Sequence, residues 1–168
     1  DSETMVAEHS CIQPETYYFC SPGSMTGAWN PMGYDWLRRN LSRHFLEAKS
    51  GPPIFLTRRS SVRMPENLPL IEDALVAKGF EIVDCSQHSV RSQITKISAA
   101  PMIAGLHGAA MTNLLWAPPQ TPVIEIFQPG HLNGCYEQIA FHGSLIYSYG
   151  INEANGIPKF LMDWLAGF

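Results

Sequence analysis

Short apolar runs alternate with amphipathic segments along most of this chain, and this alternation limits the folds open to it. The apolar runs have the length of buried strands, and each is followed by residues with helical spacing of apolar side chains. Strands separated by helices in this way run parallel, with the helices covering both faces of the sheet. The sequence therefore predicts an α/β fold: a doubly wound, mostly parallel sheet of the Rossmann-like class.

The predicted elements fill the chain from residue 34 onwards. Strands are predicted over residues 54–57, 80–83, 101–106, 123–127 and 144–149. Helices are predicted over residues 34–48, 66–78, 90–98, 109–116, 135–142 and 158–166. Proline and glycine interrupt residues 1–32, which predicts an irregular segment there. The 168 residues suit a single domain, 1–168, composed of that N-terminal segment and an α/β core over 33–168.

The composition favours a globular protein that binds a small anion. The chain is 45% hydrophobic and 15% charged, which is apolar enough for a core. Its net charge is −4 and no block of lysine or arginine is present, so a general nucleic-acid surface is disfavoured. Basic residues instead cluster locally, at Arg38-Arg39 and in the run from Arg58 to Arg63. We therefore expect a small anionic ligand and no nucleic-acid partner.

The sequence leaves the cellular compartment open. No signal peptide and no apolar run of the roughly 20 residues needed to cross a bilayer is visible. The four cysteines are widely spaced, which favours a reducing compartment, although Cys11 and Cys20 could pair in an oxidising one. The chain starts abruptly at Asp1 with a polar run, as a piece of a longer protein would.

Residues 103–116 have the features of an anion-binding turn. An apolar strand leads into His107-Gly108, and a helical pattern begins directly afterwards at Ala109. The first amide groups of a helix have no partner within it, and the peptide dipoles add partial positive charge there. Gly108 permits close approach of a ligand, and His107 can donate a hydrogen bond to a phosphate oxygen. A histidine that merely caps the helix is the alternative.

Two further polar residues, Asn113 and Glu125, belong to the same part of the predicted fold. Asn113 lies one helical turn beyond Ala109, and its amide could hold the His107 ring, contact a ligand or bond to local backbone. Glu125 interrupts a strand expected to be buried on both faces, where a carboxylate needs a partner. Hydroxyl groups of a ribose would meet that need. An edge position in water and a pair with one of the arginines are the alternatives.

Basic residues follow the first predicted strand of the core. Arg58 and Arg59 come directly after it, and Arg63 lies further along the same loop. Ligands of open α/β sheets bind beyond the carboxyl ends of the strands, where the strand order reverses. Because guanidinium groups can contact phosphate through paired hydrogen bonds, the arginines favour phosphate binding beside His107. A solvated, positively charged loop is the alternative.

Other well-known site patterns are missing from the sequence. It contains no G-x-G-x-x-G, no G-x-x-x-x-G-K-[ST] and no G-x-S-x-G, so an NAD site, a P-loop and a serine hydrolase have no support. It contains no D-x-D pair, and its six histidines do not have metal-ligand spacing. We therefore predict neither a metal site nor a bound cofactor.

The residues around His107 resemble glycosyltransferase family 61. The resemblance rests on residues 107–115, on Pro118-Pro119 and on residues 123–126, with residues 56–59 and Arg63 upstream and the spacing of Tyr136 and Tyr147 downstream. It covers roughly residues 54–150. Two positions depart from the family pattern. Glu66-Asn67 stands where Asn-Glu is usual, and Ala109-Ala110 stands where Ala-Gly is common.

The resemblance implies one lobe of a two-lobed GT-B enzyme. Such enzymes transfer a sugar from a nucleotide donor to a hydroxyl group with inversion and typically without a metal. A UDP-sugar is the expected donor, a glycan the expected acceptor, and surface polysaccharide a common product. This chain resembles the C-terminal, donor-binding lobe, so an N-terminal acceptor lobe is the expected partner. His107 and Arg58 are the expected catalytic residues. The expected donor-binding residues are Arg58, Arg59, Arg63, His107, Gly108, Ala109, Asn113 and Glu125.

The resemblance does not assign the general base to a residue of this chain. The general base commonly comes from the other lobe of such enzymes, and Asp84 is a weak candidate that more often would cap the following turn. A non-catalytic module that binds a phosphate or a sugar nucleotide is the alternative function. Another Rossmann-like enzyme acting on a sugar nucleotide, such as an epimerase, has less support. A bacterial protein of this kind would be cytoplasmic and a eukaryotic one would lie in the secretory pathway.

Overall fold

The computed structural model describes residues 30–45, 50–59, 64–153 and 155–167, and for residues 41–45 it describes the backbone alone. The strands are β1 (Ile54–Leu56), β2 (Glu81–Val83), β3 (Ile103–Leu106), β4 (Pro122–Phe127) and β5 (Ile146–Ile151). The α-helices are α1 (Pro31–Phe45), α2 (Leu68–Ala77), α3 (Val90–Ala99), α4 (Cys135–His142) and α5 (Lys159–Ala166). Two 3₁₀ segments, Cys85–Gln87 and Ala109–Trp116, complete the described elements.

The five strands form one sheet in which every pair is parallel, in the order β2-β1-β3-β4-β5. This confirms the predicted Rossmann-like α/β class. Each strand is followed by helical structure that returns the chain to the amino edge of the sheet, so the next strand can run in the same direction.

Apolar side chains cover both faces of the sheet. One face packs against α2 and α5, through Ile71, Leu75 and Leu161. The other packs against α1, α3, α4 and the longer 3₁₀ segment, through residues such as Ile97 and Leu114. Because both faces are buried, β1 and β3 are short runs of fully buried residues rather than alternating ones.

The segment Ala109–Trp116 is a 3₁₀ helix, whereas the sequence predicted an α-helix. Its periodicity is too short to tell the two apart, since both repeat apolar residues every three to four positions. A 3₁₀ helix bonds each amide to the carbonyl three residues back, and the amide of Met111 accordingly donates to the carbonyl of Gly108 at 2.8 Å. The first amides of the segment still have no partner inside it.

Several element boundaries also differ from prediction by one to three residues, and two of the shifts have a local cause. Helix α1 begins at Pro31, three residues before the predicted start, because the Asn30 side chain accepts a hydrogen bond from the amide of Met32 and Pro31 suits the first helical position. The irregular N-terminal segment predicted for residues 1–32 is therefore wrong at residues 31–32, and residues 1–29 lie outside the described part of the chain. Strand β5 begins at Ile146, because Ser144 has a positive φ of 54° in the preceding turn.

The strand order reverses between β1 and β3. The chain leaves β1 towards one face, through α2, and leaves β3 towards the other, through the 3₁₀ segment. The loops after these two strands therefore separate at the carboxyl edge of the sheet and leave a crevice between them. Arg58 follows the end of β1 by two residues and His107 directly follows β3, so both residues border this crevice.

Among the described helices, none combines the length and the apolar character needed to cross a membrane.

Candidate functional site

The crevice between β1 and β3 brings Arg58 onto the turn formed by His107 and Gly108. The Nη1 atom of Arg58 donates a hydrogen bond to the carbonyl oxygen of His107 at 2.5 Å. A Cβ atom at position 108 would lie 2.6 Å from the same nitrogen. The guanidinium group is therefore packed on the backbone of the turn, and only a residue without a side chain leaves it that room.

Backbone amides at the start of the 3₁₀ segment are available beside Arg58. Within the part of the chain that the structure describes, the amides of Ala109 and Ala110 form no hydrogen bond. Both residues line a hollow of about 260 Å³. Its other lining residues are Thr57, Arg58, Asp84, Cys85 and Ser86. A hollow that combines a guanidinium group with unpaired amides has the chemistry of an anion-binding site.

The ring of His107 is fixed on several sides. Its Nδ1 atom lies 2.5 Å from Oε1 of Glu125, and its ring stacks on that of Phe127 with centroids 4.7 Å apart. The ring of Tyr136 contacts it at an angle, with a centroid distance of 5.4 Å. Since a carboxylate only accepts, Nδ1 carries the hydrogen, and Nε2 is the nitrogen left for other partners.

Glu125 is fully buried, and both of its carboxylate oxygens are engaged. Oε1 pairs with His107, and Oε2 accepts a hydrogen bond from the hydroxyl of Tyr147 at 2.5 Å. Burial raises the pKa of the Glu125 carboxyl, while the hydrogen bonds from Tyr147 and His107 act in the opposite direction. Burial and the neighbouring carboxylate also raise the pKa of the Tyr147 phenol. His107, Glu125 and Tyr147 thus form one hydrogen-bonded chain, called here the His107 chain.

The buried position of Glu125 differs from the surroundings that the sequence predicted for it. The carboxylate is neither at a solvated edge nor paired with an arginine, because it faces the interior and bonds His107 and Tyr147. A direct contact with a ribose does not fit this arrangement either, since the side chain has no exposed surface. The carboxylate orients His107 instead.

Arg59 does not line the hollow that Arg58 lines, although it is the next residue. Its guanidinium group binds the carboxylate of Glu72 on α2, with Nη2 to Oε2 at 2.8 Å, and the hydroxyl of Thr57 donates to Oε1 of the same carboxylate at 2.5 Å. The ion pair with Glu72 raises the pKa of Arg59. The structure therefore gives Arg59 a partner within the fold. Arg63 lies outside the described residues.

Asn113 has a local role in the structure. Its Nδ2 atom donates to Oε1 of Gln93 at 3.0 Å and to the carbonyl of Ala110 at 3.1 Å, and the Sγ atom of Cys85 lies 3.6 Å away. It thereby ties the 3₁₀ segment to α3. Of the three roles predicted for this amide, the structure shows the bond to local backbone and no contact with the His107 ring among the described residues.

Asp84 caps the short 3₁₀ turn that follows β2. Its Oδ1 atom accepts hydrogen bonds from the amide of Ser86 at 3.0 Å and from the hydroxyl of the same residue at 2.7 Å. The capping role that the sequence favoured is confirmed. In the described ranges, no group of three histidine, cysteine, aspartate or glutamate side chains is placed to hold a metal ion.

Glu66 and Asn67 border a separate polar hollow of about 170 Å³. Asn67 is buried and exchanges two side-chain hydrogen bonds with Asn152, at 2.9 and 2.8 Å. It also donates to the carbonyl of Gly156 at 2.6 Å. Asn67 therefore holds the start of α2 against the segment after β5, while Glu66 is exposed.

Sequence reasoning did not assign roles to the aromatic residues around His107. Phe127 and Tyr147 lie on the same face of the sheet as Glu125. Phe127 is two residues beyond Glu125 on β4, and the pairing of β4 with β5 puts Tyr147 on that face too. Arg38 was expected only as part of a basic cluster. Its Nη1 atom donates to the carbonyl oxygens of Leu115 and Ala117, at 3.1 and 2.9 Å, and so anchors α1 to the end of the 3₁₀ segment.

The fold and the crevice define a Rossmann-like domain with a candidate anion site at its strand-order reversal. The family model described as Glycosyltransferase 61 matches residues 7–124, more than half of the chain. The chain therefore belongs to glycosyltransferase family 61. No curated protein matches it.

Proposed function

We propose that this chain forms the donor-binding part of an inverting glycosyltransferase that needs no metal ion. The donor is a nucleotide-sugar, with a UDP-sugar expected, and the acceptor is a hydroxyl group of a glycan or polysaccharide. The observation that carries the proposal is the crevice itself, where the guanidinium group of Arg58 bonds the backbone of His107 and lines one hollow with Ala109 and Ala110, whose amides are unpaired among the described residues. Membership in family 61 supplies the reaction class.

The proposed reaction concentrates charge on the departing diphosphate. The bond between the anomeric carbon and the phosphate oxygen breaks, and that carbon bonds the acceptor oxygen from the opposite face. The acceptor hydroxyl loses its proton to a base, and the nucleoside diphosphate leaves with the bonding electrons. Positive charge and hydrogen-bond donors at the oxygen that gains charge lower the barrier. Arg58 and the two amides can supply them.

The His107 chain fixes the ring that we propose to lie towards this charge. Glu125 accepts from Nδ1 and holds the ring in one orientation, which leaves Nε2 as the ring atom proposed to contact a phosphate oxygen. Tyr147 in turn holds the carboxylate in place. Glu125 and Tyr147 are therefore positioning residues, while His107 and Arg58 are the residues proposed to contact the donor.

The other predicted donor contacts divide according to the geometry. Gly108 and Ala109 belong to the crevice and stay in the proposed site, with Gly108 giving room to Arg58. Arg59 and Asn113 have partners within the fold and are proposed to act as supports for the neighbouring loops. The general base is proposed to come from an N-terminal acceptor lobe, which would complete a GT-B enzyme.

Calorimetric titration of the full-length protein with nucleoside diphosphates, with and without a chelator, tests the proposal. We expect binding that survives chelation, and a loss of about 10-fold or more in affinity for His107→Ala, the range of a hydrogen bond to a charged group. His142→Ala is the matched control, because His142 ends α4 near the opposite edge of the sheet. No binding, or equal affinity of both variants, would count against the proposal.

Turnover separates a transferase from a binding module. Incubation of the full-length protein with the nucleotide-sugar whose nucleotide binds best, and with a panel of glycan acceptors, should release nucleoside diphosphate. Binding without any release of product across the panel would favour the non-catalytic module.

A further inference from the structure

A second hollow opens beside the His107 chain, at the carboxyl ends of β4 and β5. It has a volume of about 290 Å³. Its inner wall is the ring of Phe127, and Tyr149 forms a second aromatic wall. The two rings meet edge to face, with centroids 5.8 Å apart and planes at 89°. The remaining lining residues are Leu132, Asn133, Gly134, Glu137 and Tyr147.

Phe127 connects this hollow to the crevice. One side of its ring stacks on His107, and its edge contacts Tyr149 in the hollow. Two strand spacings, roughly 10 Å, separate β3, which His107 directly follows, from β5, which carries Tyr149. A ribose and one phosphate group bridge such a distance, so one extended ligand can reach both places.

The aromatic wall suits a flat, uncharged ring. Tyr149 is 60% exposed, although it is a large aromatic residue in a strand. Its cross-strand neighbour is Glu125, so Tyr149 lies on the same face of the sheet as the His107 chain. Bases stack on exposed tyrosine and phenylalanine rings in nucleotide-binding proteins.

Charge in the hollow orients such a ligand. The carboxylate of Glu137 lies in the first turn of α4 and lines the hollow, as does the amide of Asn133. A carboxylate accepts hydrogen bonds from hydroxyl groups and repels phosphate. A nucleotide would therefore place its ribose hydroxyls near Glu137 and its phosphates on the other side of Phe127, towards Arg58.

We infer that this hollow binds the nucleoside of the donor, with the base stacked on Tyr149 and the ribose hydroxyls bonded by Glu137. The inference rests on the proposed function and adds a binding site to it. The volume lies at the lower limit of the roughly 300–1,000 Å³ typical of ligand sites. It therefore suits one nucleoside and leaves the diphosphate and the sugar to the crevice.

Calorimetry with two kinds of probe tests this site. UDP, ADP and GDP are titrated into the full-length protein, and the tightest of them is compared with inorganic pyrophosphate. For Tyr149→Ala we expect a loss of about 10-fold in affinity for the nucleotide and an unchanged affinity for pyrophosphate. Tyr149→Phe should keep nucleotide affinity within about twofold, because it keeps the ring.

Two further variants sharpen the result. Phe141→Ala, a change at a 79% exposed aromatic residue of α4 outside the hollow, should alter neither affinity. Glu137→Gln should weaken binding of the ribonucleotide and leave binding of its 2′,3′-dideoxy analogue unchanged. Thermal melting of each variant establishes that the fold is intact.

The outcomes separate the two proposals. If the wild-type protein binds neither nucleotide nor pyrophosphate, the proposed function fails and the nucleoside site fails with it. If the wild-type protein binds the nucleotide and Tyr149→Ala binds it equally well, the nucleoside site is wrong. The nucleoside site is also wrong if Tyr149→Ala loses affinity for the nucleotide and for pyrophosphate equally. In both cases the proposed function is not contradicted.

Discussion

Arg58 and Arg59 are adjacent in sequence and end in opposite surroundings. Arg58 packs on the turn after β3, beside a hollow with unpaired amides. Arg59 binds a nearly buried carboxylate on α2, which Thr57 also bonds. Successive side chains of an extended chain point to opposite faces, so one of two neighbouring arginines reaches the crevice and the other reaches the helix. In this basic pair, Arg58 is the member proposed to bind the ligand, and Arg59 is held by the fold.

The largest expected difference between the two arginines is in ligand affinity. Arg58→Ala should weaken binding of a nucleoside diphosphate by about 10- to 100-fold, because a charged donor to the phosphates is lost. Arg59→Ala should change it by less than about threefold, since its guanidinium group is held at Glu72. Isothermal titration of both variants measures this. Equal losses would show that the two residues share the ligand.

Gly108→Ala tests whether Arg58 needs its place on the turn in order to bind a ligand. A Cβ atom there would lie 2.6 Å from the Arg58 guanidinium group, which would have to move off the turn. We expect a loss of affinity of about 10-fold, close to that of Arg58→Ala, and little further loss when the two changes are combined. Gly156→Ala is the control, because a Cβ atom at that position meets nothing within 4 Å. Additive losses would break the link between Gly108 and Arg58.

Arg59 is expected to affect the stability of the fold rather than the binding of a ligand. Arg59→Ala removes an ion pair whose basic member is 60% exposed, while Thr57 continues to bond Glu72. A loss of about 1 kcal/mol or less in the free energy of unfolding is expected. Lys159→Ala, in a fully surface-exposed pair with Asp163, should cost even less. Urea denaturation measures both. A loss of several kcal/mol for Arg59→Ala would mean that its charge compensates a buried one.

The smallest expected effect concerns pH and Glu125. Burial raises the pKa of this carboxyl above its ordinary value of 4.5, so the folded state holds the proton over a range where the unfolded state has lost it. The free energy of unfolding should therefore fall as the pH rises from about 4.5 through the raised pKa. In Glu125→Gln this contribution should be absent, so the difference between the two stability profiles isolates it. A profile for the wild type that rises relative to the variant over this range would reverse the sign and contradict the assignment.

The fold could be predicted because its pattern is redundant. Five apolar runs and the helices between them all indicate a parallel sheet, so errors at single boundaries such as 34 or 144 do not change the architecture. The local conformation of residues 109–116 could not be predicted, because α and 3₁₀ helices bury the same residues over so short a segment.

The site was less predictable than the fold, for a physical reason. That Arg58, His107 and Gly108 meet follows from the strand ends and the strand-order rule. The partners of Glu125, Arg59 and Asn113 depend on side-chain contacts between elements far apart in sequence, such as that between Glu125 and Tyr147. Patterns along the chain identify a buried carboxylate that needs a partner, but they do not say which residue supplies it.

Tyr147 belongs to β5, which forms one edge of the described sheet. A slip of β5 by a single residue would turn Tyr147 to the opposite face of the sheet, and Glu125 would lose the phenol that steadies it. The orientation of the His107 ring therefore depends on the register between β4 and β5. A displacement of β5 would therefore alter the proposed donor site from two strands away, without any change in the residues that line it.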